Sequence, residues 1–295
     1  MTKEKLVLPG KRPEIDKVIL LVIDGMDTIN FTLGKAEVMS GLHGRAAVGI
    51  ARTEIIGAGT TITPTAHGMM GAGRNVTADR PGPDTDGRPY TYDGTIAVTV
   101  GDVARANGFV TGAVGKDEAA IALGGTGNLD ISRLQKEGID STDEVQLIIE
   151  VRQVLSQFEK GILAVNFNAV DIAGHHRNVL GVIKAIERAD RLVQQLIEAV
   201  DPERNLLIIA ADHGTDPITG NHNTSPTPLS LITGAISGRH NLGIAHNMEI
   251  APTILGALGL VRPEGMLGRD LLDLALSGRM PRTNYDPRFY EEYHD

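Results

Sequence analysis

The 295-residue chain is 41% hydrophobic with a formal charge of −9, enough length for a large buried core and no excess of basic residues to neutralise a nucleic-acid backbone. It has no cysteine and no tryptophan, which excludes disulfides and thiolate metal sites and leaves little aromatic surface for base stacking. No apolar run approaches a membrane span, and the opening MTKEKLVLPGKRPEIDK lacks the apolar stretch of a secretion signal, so a cytoplasmic protein without membrane or nucleic-acid partners is expected.

After a polar lead-in, residues 18–23 form a continuous apolar, β-branched run ending at Asp24-Gly25. Alone, Asp24 reads as a turn or capping residue. Residues 34–44 suit a short helix or loop. The stretch GAGTTITPTAHGMMGAGRN, residues 57–75, is dense in hydroxyls and glycine, and Pro64 can open a helix at its first turn. A threonine there is either a cap or a group aimed at a phosphate near free backbone N–H groups. Residues 76–94, rich in Pro, Gly and Asp, read as an exposed excursion rather than a second domain.

A helix is expected over 95–107 and a strand over 109–114, closed by Gly115-Lys116-Asp117. Gly124 to Gly127 lacks the strand-then-helix context of a dinucleotide fingerprint. Ser141 to Glu144 reads as a capping box before a helix reaching Phe158, and 162–167 as a strand running into NAVDIAGHHR. The amphipathic pattern over 179–200 leads to LLIIAADHG, where a doubly buried strand over 206–211 stops at Asp212-His213; His222 follows in a Pro-punctuated loop. A strand over 229–233 and a helix over 250–258 complete the pattern. The polar tail, 280–295, holds Tyr285, Phe289, Tyr290 and Tyr293; it either docks on a neighbouring subunit in a homo-oligomer or is loose.

Alternating strands and helices predict an α/β protein, a three-layer α/β/α sandwich with a mainly parallel central sheet, built as a single unit over 1–295. Sites in such sheets lie beyond the carboxyl ends of the strands. Three separate strands deliver Asp24, the Asp171/His175 pair and Asp212-His213 to that edge. With His222 these oxygen and imidazole donors suit two divalent ions, Mn²⁺ or Zn²⁺, and Thr63 becomes a candidate nucleophile.

On these motifs the chain resembles the alkaline phosphatase superfamily, in its phosphopentomutase and cofactor-independent phosphoglycerate mutase branch, over roughly 17–272. VILLVIDG resembles the first metal-binding strand, and TPTAH the nucleophile motif, with Thr63 rather than Thr65 at the matching spacing. NFNAVDIAGHH resembles the phosphoglycerate mutases; ADHGTDP and AVGKDEAA resemble phosphopentomutase; IAPTILGALGL with GMLGRDLL resembles the closing segment. The resemblance implies that Asp171, His175 and His222 hold one metal, and Asp24, Asp212, His213 and the Thr63 oxygen the other. Lys116, with Arg177 or Asn75, is a candidate to neutralise charge on the phosphoryl oxygens, a structural salt bridge being the alternative for Lys116 and Arg177. The mutases carry a large cap domain, whereas here residues 76–94 stand in its place. A capless site exposes a phospho-threonine to water, so hydrolysis of a small phosphorylated metabolite, a monoester or diester, is the leading expectation. A phosphopentomutase-like mutase is the alternative, and a non-catalytic metal-binding protein is the third reading.

Overall fold

The computed structural model describes residues 12–42, 46–55, 59, 61–236, 238 and 240–277; the expected tail of 280–295 lies outside them. The strands are β1 (Lys17–Ile23), β2 (Ala47–Arg52), β3 (Val110–Gly115), β4 (Ile131–Leu134), β5 (Gly161–Phe167), β6 (Asn205–Ala210), β7 (Gly214–Thr215), β8 (His222–Asn223), β9 (Thr227–Ile232) and β10 (His240–His246). The helices are α1 (Thr28–Leu33), α2 (Glu37–Ser40), α3 (Thr63–Ala72), α4 (Val100–Ala106), α5 (Glu144–Leu155), α6 (Ala169–His175), α7 (Val179–Ala199), α8 (Ile250–Ala257) and α9 (Leu271–Ser277).

Eight strands form one sheet in the order β10-β2-β9-β6-β1-β5-β3-β4, parallel except for β9, which runs against both neighbours. Side chains alternate across the pleat and pack against helices on both faces. Val18, Leu20 and Val22 of β1 join the core with residues of α8 and α9, while Ile19, Leu21 and Ile23 pack with α5 and α7. This is the expected α/β/α sandwich with a mainly parallel sheet. Among the described residues no helix is long and apolar enough to cross a membrane.

Register places the site. β1 lies between β5 and β6, with Ile23 beside Phe167 and Val22 beside Ala210. The three chains leaving these strands therefore emerge side by side at one edge of the sheet.

Several local expectations shift. The first helix is capped by Asp27, whose carboxylate accepts from the Asn30 N–H at 2.6 Å, so Asp24 is free of capping. The helix expected from residue 95 begins at Val100, where Thr99 and Asp102 form a reciprocal capping box. The capping box read at 141–144 is absent. Asp143 caps α5, and Glu144 instead pairs with Arg188 and Arg191 of α7, each at 2.6 Å. Residues 76–94 are only partly an exposed excursion: Val76 and Ala78 are buried, and backbone bridges join Thr77 to Tyr90 and Gly82 to Thr85.

Candidate metal and phosphoryl-transfer site

Each candidate donor is carried to the sheet edge by a short, local device. Asp24 follows β1 directly. Gly25, at φ +78°, turns the chain so tightly that a Cβ there would lie 2.7 Å from the Asp171 Cα; only glycine lets β1 meet α6 this closely. Helix α6 presents Asp171 and His175 four residues apart on one face. Asp212 and His213 follow β6, and the β7–β8 pair returns His222 to the same edge.

Two groups of donors result. Asp171, His175 and His222 form one, and Asp24, Asp212 and His213 the other, each with ligand atoms within 4.8 Å of one another. In the first, His175 Nε2 lies 3.2 Å and His222 Nε2 3.6 Å from Asp171 Oδ1. The far ring nitrogens rest against backbone carbonyls, His175 Nδ1 at 2.8 Å from Gly220 O and His222 Nδ1 at 3.2 Å from Thr61 O, which orients both Nε2 atoms inward. In the second, His213 Nε2 lies 3.2 Å from Asp212 Oδ2 and 3.7 Å from Asp24 Oδ1.

The residues suit divalent cations. Asp24 Oδ1 and Asp212 Oδ2 are buried with no hydrogen-bond partner, a costly arrangement for two carboxylates unless a cation fills it. Burial, together with the charge of Asp24, pushes the Asp212 carboxyl well above the usual carboxylate range. Burial takes the His213 imidazole down to about 4, keeping it neutral near pH 7, as a metal-binding nitrogen must be. Burial would also raise Asp171, but hydrogen bonding to His222 and Thr215 and the charges of His213 and Lys116 outweigh it and hold the carboxyl below its ordinary value.

Thr63 is the first residue of α3, but it is not a cap: Ile62 occupies that position and no side chain caps the helix. Its hydroxyl instead lies 3.1 Å from His213 Nε2 and 3.5 Å from Lys116 Nζ. Lys116 donates to Asp24 Oδ2 at 2.9 Å; burial opposes its charge, but Asp24, Glu118 and Asp212 more than compensate and raise its pKa. A cavity of about 310 Å³ opens over this hydroxyl, lined by Ile62, Thr63, Pro64, Ala78, Asp79, Arg80, Asp171, His175 and His222.

Arg177 is not brought to that cavity. It adopts a left-handed backbone (φ 53°) after α6, and its Nε donates to Thr219 O at 3.1 Å, clasping the loop before His222. Asn75 is buried. Sequence reasoning missed two supporting groups. Thr215 donates to Asp171 Oδ1 at 2.6 Å, and Asn166 donates to Asp24 Oδ2 at 3.3 Å while lying 3.0 Å from His67 Nε2. Burial takes His67 down to about 3, so it stays neutral. A signal for Asn166 existed: it is the polar residue inside the apolar run of β5.

Residues 131–262, which carry Asp171, His175, Asp212, His213 and His222, match the Metalloenzyme superfamily. Over 121 residues the chain is 34% identical to the 2,3-bisphosphoglycerate-independent phosphoglycerate mutase of Cereibacter sphaeroides, a match covering 38% of this chain but only 24% of that protein's length. In three dimensions it resembles the alkaline phosphatase from the Antarctic bacterium TAB5, with a TM-score of 0.64 at 14% identity over 84% of this chain and 99% of that one. It also resembles Thermus thermophilus alkaline phosphatase, with a TM-score of 0.68 at 13% identity over 92% and 96% of the two chains. The chain thus has an alkaline-phosphatase-like α/β fold, and residues 131–262 place a metalloenzyme-superfamily region within it.

Proposed function

We propose that this protein is a metal-dependent phosphoryl-transfer enzyme that hydrolyses a small phosphoester, with Thr63 as nucleophile. The observation carrying the reading is the placement of the Thr63 hydroxyl against one of two three-donor groups, with the second group on the wall of the same cavity. Asp171, His175 and His222 would hold one divalent ion, and Asp24, Asp212 and His213 the other, with Mn²⁺ and Zn²⁺ both matching the donors. Bound there, the ions would neutralise phosphoryl oxygens and favour the deprotonated form of an alcohol.

The chain's own groups supply the rest. Helix α3 holds the Thr63 oxygen at the cavity floor, where it attacks phosphorus. The Thr63 hydroxyl gives up its proton to solvent, an Oγ–P bond forms, the ester P–O bond breaks, and the leaving alkoxide takes a proton from solvent in return. Lys116, kept protonated by Asp24 and Glu118, lies within reach of that oxygen and stabilises negative charge building on the transferred group. Water then cleaves the Oγ–P bond and releases phosphate. Access for that water is supported by the open side of the cavity, where the His175 side chain is 43% exposed.

Conversion of an aryl phosphate by metal-loaded protein, lost by a hundredfold or more in Thr63→Ala, is the expected result. Full activity in that variant would refute the nucleophile. A phosphomutase is the second reading, favoured by the name of the Cereibacter relative and by the phosphopentomutase-like DHGTDP and VGK segments. Phosphorus NMR on ribose 1-phosphate separates the two: free phosphate supports hydrolysis, and ribose 5-phosphate without free phosphate supports the mutase.

A further inference from the structure

Helix α3 carries a second polar side chain one turn beyond Thr63. His67 follows it by four residues, so the two project from the same side of the helix. All of α3 is buried, and the His67 imidazole is fully enclosed. Its Nε2 lies 3.0 Å from the Nδ2 of Asn166 on β5, and that nitrogen donates to Asp24 Oδ2 at 3.3 Å. Lys116 Nζ reaches the same Asp24 oxygen at 2.9 Å and the Thr63 hydroxyl at 3.5 Å. The contacts close a ring. It leaves α3 at Thr63, passes through Lys116, Asp24 and Asn166, and returns to α3 at His67.

The chemistry of these groups fixes the direction of each contact. An ionised carboxylate only accepts, so the amide nitrogen of Asn166, not its oxygen, must face Asp24. That nitrogen has two hydrogens and accepts nothing, so its second N–H goes to His67 Nε2 and the imidazole proton sits on Nδ1. Among the described residues Nδ1 has no hydrogen-bond partner, a cost that an apolar side chain of similar size would avoid. What the imidazole supplies in return is the Nε2 acceptor, which holds the Asn166 amide nitrogen toward Asp24. Asp24 Oδ2 thus takes both protein donors, while Oδ1 has none and lies 3.7 Å from His213 Nε2.

We propose that His67 is a positioning residue for the metal centre: through Asn166 it orients the Asp24 carboxylate so that Oδ1 is presented to a divalent cation at the Asp24–Asp212–His213 group. This rests on reading that group as a metal site. It also makes one helix set both the nucleophile and a donor to the neighbouring ion.

The test titrates the full, metal-free chain with Mn²⁺ by calorimetry. Asp24→Asn and Asp171→Asn show which binding step belongs to which donor group. His67→Leu, which removes the acceptor, should weaken the Asp24 step roughly tenfold to a hundredfold, as loss of a ligand's hydrogen-bonding support does, and leave the Asp171 step within about twofold. His67→Gln, whose side-chain oxygen can stand in for Nε2, should recover most of the lost affinity. A purely structural role would weaken both steps together and make Gln and Leu behave alike, and that result would overturn the proposal. Thermal midpoints in EDTA check that the variants fold. Should the Leu variant fail that check, nitrogen–proton correlation NMR on the wild type reads the ring directly: a proton on His67 Nδ1 supports it, and a proton on Nε2 overturns it. A wild type with no Mn²⁺ step that Asp24→Asn removes refutes the metal reading itself, whereas a step that Asp24→Asn removes and His67→Leu leaves unchanged refutes only this inference.

Discussion

Replacing Asp212 with asparagine should stabilise the metal-free protein and abolish much of its stabilisation by metal. Asp212 is fully buried beside Asp24, and burial together with that neighbouring charge raises its pKa well above the ordinary carboxylate value. A carboxyl raised in the folded state costs stability at every pH above its folded pKa, and the cost disappears as pH falls below the unfolded one. A buried polar atom left without a partner, as Asp212 Oδ2 is, costs about 1–3 kcal/mol, so relief of that order at pH 7 is expected. Asparagine preserves the local bonds. Its oxygen can still accept from the Gly25 and His213 N–H groups, now at 3.1 and 3.0 Å from Asp212 Oδ1, and its amide can donate where Oδ2 now has no partner. With metal the sign reverses. An ion present at a hundred times its dissociation constant adds about 2.7 kcal/mol per site, which the variant would largely forgo at the Asp24–Asp212–His213 group. Differential scanning calorimetry in EDTA and in Mn²⁺ reads both limbs, at roughly 2–4 °C per kcal/mol for a domain of this size. A variant less stable than wild type in EDTA yet equally stabilised by Mn²⁺ would refute the reasoning.

Gly25→Ala combines a left-handed φ of +78° with a Cβ placed 2.7 Å from the Asp171 Cα, so roughly 2–4 kcal/mol should be lost in denaturant titrations. Metal content should fall along with it, because β1 and α6 carry donors of different groups. Glu144→Gln removes ion pairs to Arg188 and Arg191; both arginines are partly exposed, so the screened cost is roughly 1–2 kcal/mol at pH 7. Burial would raise the Glu144 carboxyl, but the two arginines hold it below its ordinary value. Its contribution is therefore present above the unfolded pKa and lost as pH falls through the folded one, and the gap between wild type and variant should narrow as pH falls below the ordinary carboxylate value of about 4.3. A gap that stays constant or widens on acidification would contradict this.

The parts of the fold legible in the sequence are those whose physics is local and strong. β1, β5 and β6 are buried on both faces, so they appear as near-continuous apolar runs, and the polar residues following them stand out as donors. The strands β2, β4 and β10 carry no such signal. β2 is only half-buried and contains Gly49, which is required because a Cβ there would lie 2.6 Å from the Gly243 oxygen; β4 has four residues; β10 is interrupted by a bulge between Asn241 and Gly243. Asp24, Asp212 and His213 are legible because they follow recognisable strands, and Asp171 and His175 because they lie four residues apart on one helix face, whereas His222 sits in the two-residue β8. Asp143 displaces the expected cap at 141–144 because Glu144 has a tertiary partner in α7, which no local pattern reveals. Arg80 and Glu118 meet only through the fold, across a segment with no periodicity, so spacing alone does not reveal this ion pair beside the cavity.

The central claim, that Thr63 accepts the phosphoryl group, is tested most directly by acid-quenching the metal-loaded protein during turnover of an aryl phosphate and mapping the phosphopeptides. The account predicts a single phosphoryl group on Thr63, appearing with substrate and disappearing on a chase with buffer. Turnover with no phosphate on Thr63 at any quench time, or with the label on Thr65 instead, would contradict it.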